Sequence, residues 1–183
     1  MKRQEALRIL EELANSPNMM KHALAAEAVM KMLALRFEPE KEEKYAICGL
    51  LHDADYETTG KSLERHTEIT VEKMQELDGD EEVIEAIRGH CNRAPKTSMI
   101  AKAIYAADEL TGLIVATALV MPEKKLSQVT VESVMKKFKD PSFAKGANRD
   151  QIKTCETELA LPLEEFARIA LVAMKQIAPE LGL

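Results

Sequence analysis

Tryptophan is absent from the 183-residue sequence, and glycine and proline supply only seven residues each. So few chain breakers count against a turn-rich β-sandwich or barrel. Aromatic residues make up 4% of the chain, too few for a base-stacking platform. Basic charge is also short: 25 Lys and Arg stand against 31 Asp and Glu, a net charge of −6. Stable nucleic-acid binding is therefore not expected. The three cysteines, Cys48, Cys91 and Cys155, lie far apart and form no Cys-x-x-Cys pair. They read as reduced thiols of a cytoplasmic protein rather than a disulfide framework. The opening Met1-Lys2-Arg3-Gln4-Glu5 lacks the apolar core of a signal peptide. The longest apolar stretch, Leu110 to Met121, is interrupted by Thr111, Gly112 and Thr117. It falls short of the roughly 20 residues a bilayer span needs and reads as a buried helix, so no membrane partner is expected.

Helix-forming residues are abundant. Hydrophobic residues are 46% of the chain and charged residues 31%, the balance of a globular protein. A first helix is predicted over 2–14, before the break at Asn15-Ser16-Pro17. A second, over about 18–36, sets His22, Ala26, Val29 and Leu33 on one face. Pro39 opens a third, over about 40–52, that ends in His52-Asp53. A fourth, over about 62–77, carries His66, Ile69, Thr70, Met74 and Leu77, and stops at Asp78-Gly79-Asp80. The fifth (about 81–91) and sixth (about 98–110) have the stripes Val83, Ala86, Ile87, His90 and Ala101, Ile104, Tyr105, Asp108. Beyond Pro122, helices are predicted near 131–138 after Thr130, near 149–159 after Asn148, and from Pro162 at a first helical position. The last has the stripe Leu163, Phe166, Ala167, Ala170, Met174, Ile177, which leaves a homodimer open. The whole reads as an all-α bundle over 1–122 with a helical C-terminal extension over 123–183 packed on it.

Two of these stripes end in a polar residue. His90 and Asp108 stand where the pattern wants core, and buried Asp is rare unless paired or metal-bound. A single histidine on an apolar face is more often a satisfied core residue. All four histidines, however, fall on inward faces or helix ends: His22, His52, His66 and His90, with Asp53 and Asp108. Helices converge such side chains in bundle interiors, where metal sites are built. Nitrogen and oxygen donors of this kind suit Fe, Mn, Ni or Zn and suit Mg less. So many donors exceed one catalytic ion and favour two ions sharing a bridging carboxylate. His22, His52 and Asp108 would hold one and His66 and His90 the other. Asp53, about 100° round the helix from His52, would bridge.

The order His…His-Asp…His…His…Asp resembles the HD superfamily of metal-dependent phosphohydrolases in its six-ligand, binuclear form, over about residues 17–120. The resemblance implies an HD-domain helical bundle and a ligand set of His22, His52, Asp53, His66, His90 and Asp108. From His90 through Arg93, Pro95, Ser98-Met99, Lys102 and Tyr105 to Ala107-Asp108, the chain is similar to the symmetrical dinucleoside tetraphosphatase branch. That branch places an Ala-Lys pair just after His-Asp, where this chain has Ala54-Asp55-Tyr56. Nucleoside mono- and polyphosphates, dinucleotides and cyclic dinucleotides all stay open as substrate.

The implied activity is hydrolysis of a phosphate ester, a nucleotide first, by a metal-activated water. Iron is the first choice for the two ions, with Mn, Ni, Co, Zn and Mg as alternatives. Asp53 and Asp55 are the candidate catalytic carboxylates, Asp55 as a water-orienting or proton-donating group. Arg93 is the first candidate phosphate clamp, with Lys61 and Lys102 behind it. Lys136, Lys137, Lys139, Lys145 and Arg149 form a basic stretch that reads as an exposed helix end, or else as a lid over the site. The same ligands also serve mixed-valent di-iron oxygenases of the superfamily. A non-catalytic metal- or nucleotide-binding module is the remaining alternative.

Overall fold

A computed structural model describes residues 1–13 and 15–183, and its regular structure is helical throughout. In order the helices are α1 (Arg3–Glu12), α2 (Pro17–Phe37), α3 (Glu42–Leu51), α4 (Glu68–Glu76) and α5 (Glu81–His90). α6 (Met99–Leu119), α7 (Val131–Phe138), α8 (Arg149–Glu158), α9 (Leu163–Gln176) and α10 (Ala178–Leu181) follow. The predicted all-α class holds. Ala14, assigned above to the end of the first helix, lies outside the described residues.

Caps set most of the boundaries. Ser16 Oγ accepts from Met19 N–H with Pro17 in the first helical turn, which starts α2. Asp80, Ser98, Thr130 and Asn148 do the same for α5, α6, α7 and α8. The sixth predicted helix and the apolar run after it form one continuous helix. Nothing breaks α6 at Thr111-Gly112, because Thr111 Oγ1 donates back to the Asp108 carbonyl within the helix. Pro162, expected at the first position of the last helix, is its N-cap, and the helix begins one residue later at Leu163.

α2 and α3 lie in close contact. A Cβ on Gly49 would meet the backbone of Ala26 and Glu27 at 2.7 Å, so only glycine permits the approach. α8 lies along α6, tied by Gln151 Nε2 donating to the Tyr105 carbonyl at 2.8 Å. α9 packs on α2 and α7. Phe166 and Met174 of the last long helix share one apolar core with Leu33 and Ile104. Among the described residues, no helix is long and apolar enough to cross a membrane.

Two members of the basic stretch are tied to their own loop. The Arg149 guanidinium donates to the carbonyls of Ala144, Ala147 and Phe143, clasping its own loop. Lys137 lies 4.3 Å over the Phe143 ring.

Candidate metal centre

Four separate elements bring the predicted residues together. α2 supplies His22 just past its first turn, and α5 ends on His90. His52 is the C-cap of α3, with Asp53 beside it, and Asp108 lies midway along α6. His66 departs from expectation. It sits in a turn ahead of α4, because the residues from His52 to Thr67 form a run of turns rather than a helix. Thr67 then takes a left-handed φ of 75°, uncommon for a β-branched residue, before α4 begins.

Asp53 stands between two clusters. Its Oδ2 lies 3.5 Å from His22 Nε2 and 3.9 Å from His52 Nε2. Its Oδ1 lies 3.0 Å from His66 Nε2 and 3.2 Å from His90 Nε2. Asp108 Oδ1 closes the first cluster, 3.2 Å from His22 Nε2 and 3.4 Å from His52 Nε2. Within each cluster two imidazole Nε2 atoms approach at 3.0 Å (His22 and His52) and 3.1 Å (His66 and His90).

Every imidazole is anchored through its other nitrogen. His52 Nδ1 lies 2.9 Å from the Gly49 carbonyl, and His90 Nδ1 meets the Ile87 carbonyl. His66 Nδ1 lies 2.9 Å from Asp55 Oδ1. His22 Nδ1 is 3.4 Å from Thr111 Oγ1, whose own hydroxyl proton goes to Asp108 O. All four outer nitrogens therefore face oxygen acceptors. In the neutral rings that a metal ion requires, this selects the tautomer in which the Nε2 lone pairs point inward.

Charge is balanced tightly. Burial pushes the His22 imidazole down, but Asp108 and Asp53 outweigh it and hold it up at about 10. His66 behaves alike and stands at about 9, raised by Asp53 and Asp55 against burial. Burial pushes both aspartates up. Charge on His52 and hydrogen bonds from His22, His66 and His90 bring Asp53 well below the carboxylate range, and His22 and His52 do the same for Asp108. Crowded imidazole nitrogens and carboxylates with no other neighbours are the donor set of a cation site. His22, His52, Asp53 and Asp108 form one group whose ligand atoms lie within 4.8 Å of one another. His66, His90 and Cys91 form another, to which Asp53 Oδ1 is adjacent. The residues present thus fit metal ions.

The centre opens through a cavity of about 390 Å³. Met19, Tyr56, Leu63, Cys91 and Glu109 line it together with His22, Asp53, His66, His90 and Asp108. Cys91 and Glu109 went unrecognised in the sequence. As the neighbour of His90, Cys91 would point away from the centre on a continuing helix, but α5 ends at His90 and Asn92 turns with a φ of 63°. The helical rotation rule therefore does not reach it.

Asp55 is not at the opening. Its carboxylate is fully buried and accepts from Thr67 N–H at 2.8 Å, Ile69 N–H at 3.0 Å and Thr70 N–H at 3.1 Å, as well as from His66. It caps α4 from a distance and positions His66, which leaves it no part in orienting water. Arg93 is likewise committed. It donates to the carbonyls of Glu64 and His66 and to Glu68 Oε1, which clamps the turn that carries His66. Lys61 is exposed in a left-handed turn at φ 62°, and Lys102 reaches Glu158 at 3.3 Å. None of the three expected cations lines the cavity.

A family model, the HD domain, matches residues 19–113. That span holds His22, His52, Asp53, His66, His90 and Asp108. No curated protein and no solved structure matches the chain.

Proposed function

Because the chain belongs to the HD-domain family, we propose that it is a metal-dependent phosphohydrolase working at a binuclear centre. The supporting observation is the shared orientation of the histidines: four outer nitrogens anchored on oxygen, four inner nitrogens turned toward Asp53 and Asp108. His22, His52 and Asp108 would hold one ion and His66 and His90 the other, with Asp53 shared between the two groups. Metal ions held there would lower the pKa of a water and offset charge on a phosphoryl group.

The chain's own residues do the rest. Asp55, the Gly49 and Ile87 carbonyls and Thr111 fix the rings, so no reorganisation is needed as charge develops. Near-complete burial of His52, His66 and His90 lowers the local dielectric and strengthens each contact. The cavity admits substrate beside Asp53 and Asp108. The test is phosphate release from a panel of phosphate esters, with Fe, Mn, Co and Mg, in air and without oxygen. Release in both atmospheres that depends on added metal is the expected result. Oxygen consumption without phosphate release would identify an oxygenase instead.

A further inference from the structure

Around the candidate centre, the cavity walls beyond the histidines and aspartates are Met19, Tyr56, Leu63, Cys91 and Glu109. Met19 and Leu63 are apolar, Cys91 is a soft thiol, Tyr56 is an aromatic ring with a single hydroxyl, and Glu109 is a carboxylate. Among the described residues, no Lys or Arg lines this cavity. Arg93 is engaged with the turn at Glu64 and His66 and Lys102 with Glu158, while Lys61 and Arg65 are solvent-exposed on the turn that carries Leu63. Lys96 lies 4.2 Å over the Tyr105 ring and donates to Asn92. Ser16 Oγ already caps the first turn of α2 beside Met19. Glu109 is held at the mouth by the Asn148 N–H at 3.1 Å.

We propose that the substrate is a phosphomonoester of an uncharged, partly apolar alcohol, and that polyphosphates and dinucleotides are discriminated against. The proposal rests on the phosphohydrolase reading. Metal ions held by the two clusters can neutralise the one phosphoryl group being cleaved. A second or third phosphate would extend outward along walls that offer it Glu109, hydrocarbon, one thiol and one phenol, and no cation. Sites for several phosphates use arginine forks, lysines or free helix N-termini, and among the described residues none of these lines the cavity. Leu63, 74% exposed at the lip, gains from covering by an apolar leaving group. In the reaction, a water oxygen bonds to phosphorus as the bond from phosphorus to the alcohol oxygen breaks. One water proton ends on the alcohol and the other leaves with inorganic phosphate.

The experiment compares the Mn-loaded protein on phenyl phosphate and on the mono-, di- and triphosphate of one nucleoside, with diadenosine tetraphosphate alongside. At low ionic strength the monoesters are expected to exceed the others in kcat/KM by about tenfold or more. The ratio of triphosphate to monophosphate should rise as salt screens Glu109. Leu63→Lys, which places a cation on an exposed position, should also raise that ratio, with the gain lost at high salt. A triphosphate or tetraphosphate turned over as well as the monoesters would overturn the proposal and leave the hydrolase reading standing. No phosphate from any compound, in protein shown to hold metal, would overturn both.

Discussion

Asp55 Oδ1 and His66 Nδ1 lie 2.9 Å apart in a fully buried contact, and the same carboxylate caps the start of α4. One side chain thus orients an imidazole of the centre and terminates the run of turns that carries it. Asp55→Ala leaves three backbone N–H groups and one imidazole N–H without their acceptor. It is expected to cost about 3 kcal/mol in urea unfolding. Asp55→Asn keeps the size and part of the cap. It should fold, yet bind the metal of the His66 and His90 cluster more weakly in a titration, about tenfold or more. Unchanged affinity in the folded Asn variant would reduce Asp55 to a helix cap.

Gly49→Ala addresses the other cluster. The added methyl would press on the Ala26 carbonyl and the Glu27 nitrogen, and α2 and α3 would have to part. His22 rides on α2 and His52 on α3, so the pair that now stands 3.0 Å apart should separate. A loss of about 2 kcal/mol in thermal unfolding is expected, with weakened metal binding.

Arg93 looks from its sequence position like a phosphate clamp and is instead a clamp on the protein's own turn. Arg93→Ala should therefore lower the stability of the protein without substrate or metal, by about 1 kcal/mol. A variant as stable as the parent but with a sharply raised KM would restore the substrate-binding role.

Protonation of the free centre gives a pH signature. Folding raises His22 to about 10 and His66 to about 9 from the ordinary 6.5. Their contribution to stability is thus full below pH 6.5 and is lost as pH climbs through 9 and 10. Metal-free protein should unfold more easily at pH 10 than at pH 7. Metal must displace these protons, so loading at neutral pH should release them, seen in calorimetry as a heat that varies with the buffer.

Much of this centre was legible because its residues obey helical geometry. His22 and Asp108 stand on apolar stripes, and His52-Asp53 closes a helix, so neighbouring side chains diverge enough for Asp53 to face both clusters. The misreadings fall where that geometry stops. The stripe His66, Ile69, Thr70, Met74, Leu77 suggested a helix from residue 62, but the left-handed Thr67 delays it and leaves Leu77 at its C-cap. Asp55 and Arg93 act through backbone groups of a turn distant in sequence or unrecognised as one, which residue patterns do not disclose. Cys91 follows the last helical residue of α5, beyond the reach of periodicity.

The most direct test is the metal content of purified, loaded and desalted protein, beside that of Asp53→Ala. About two ions per chain are expected in the parent. The variant should retain its helical circular dichroism but hold fewer ions and release no phosphate. A parent that folds yet retains no metal, or an Asp53→Ala variant with undiminished metal and activity, would contradict it.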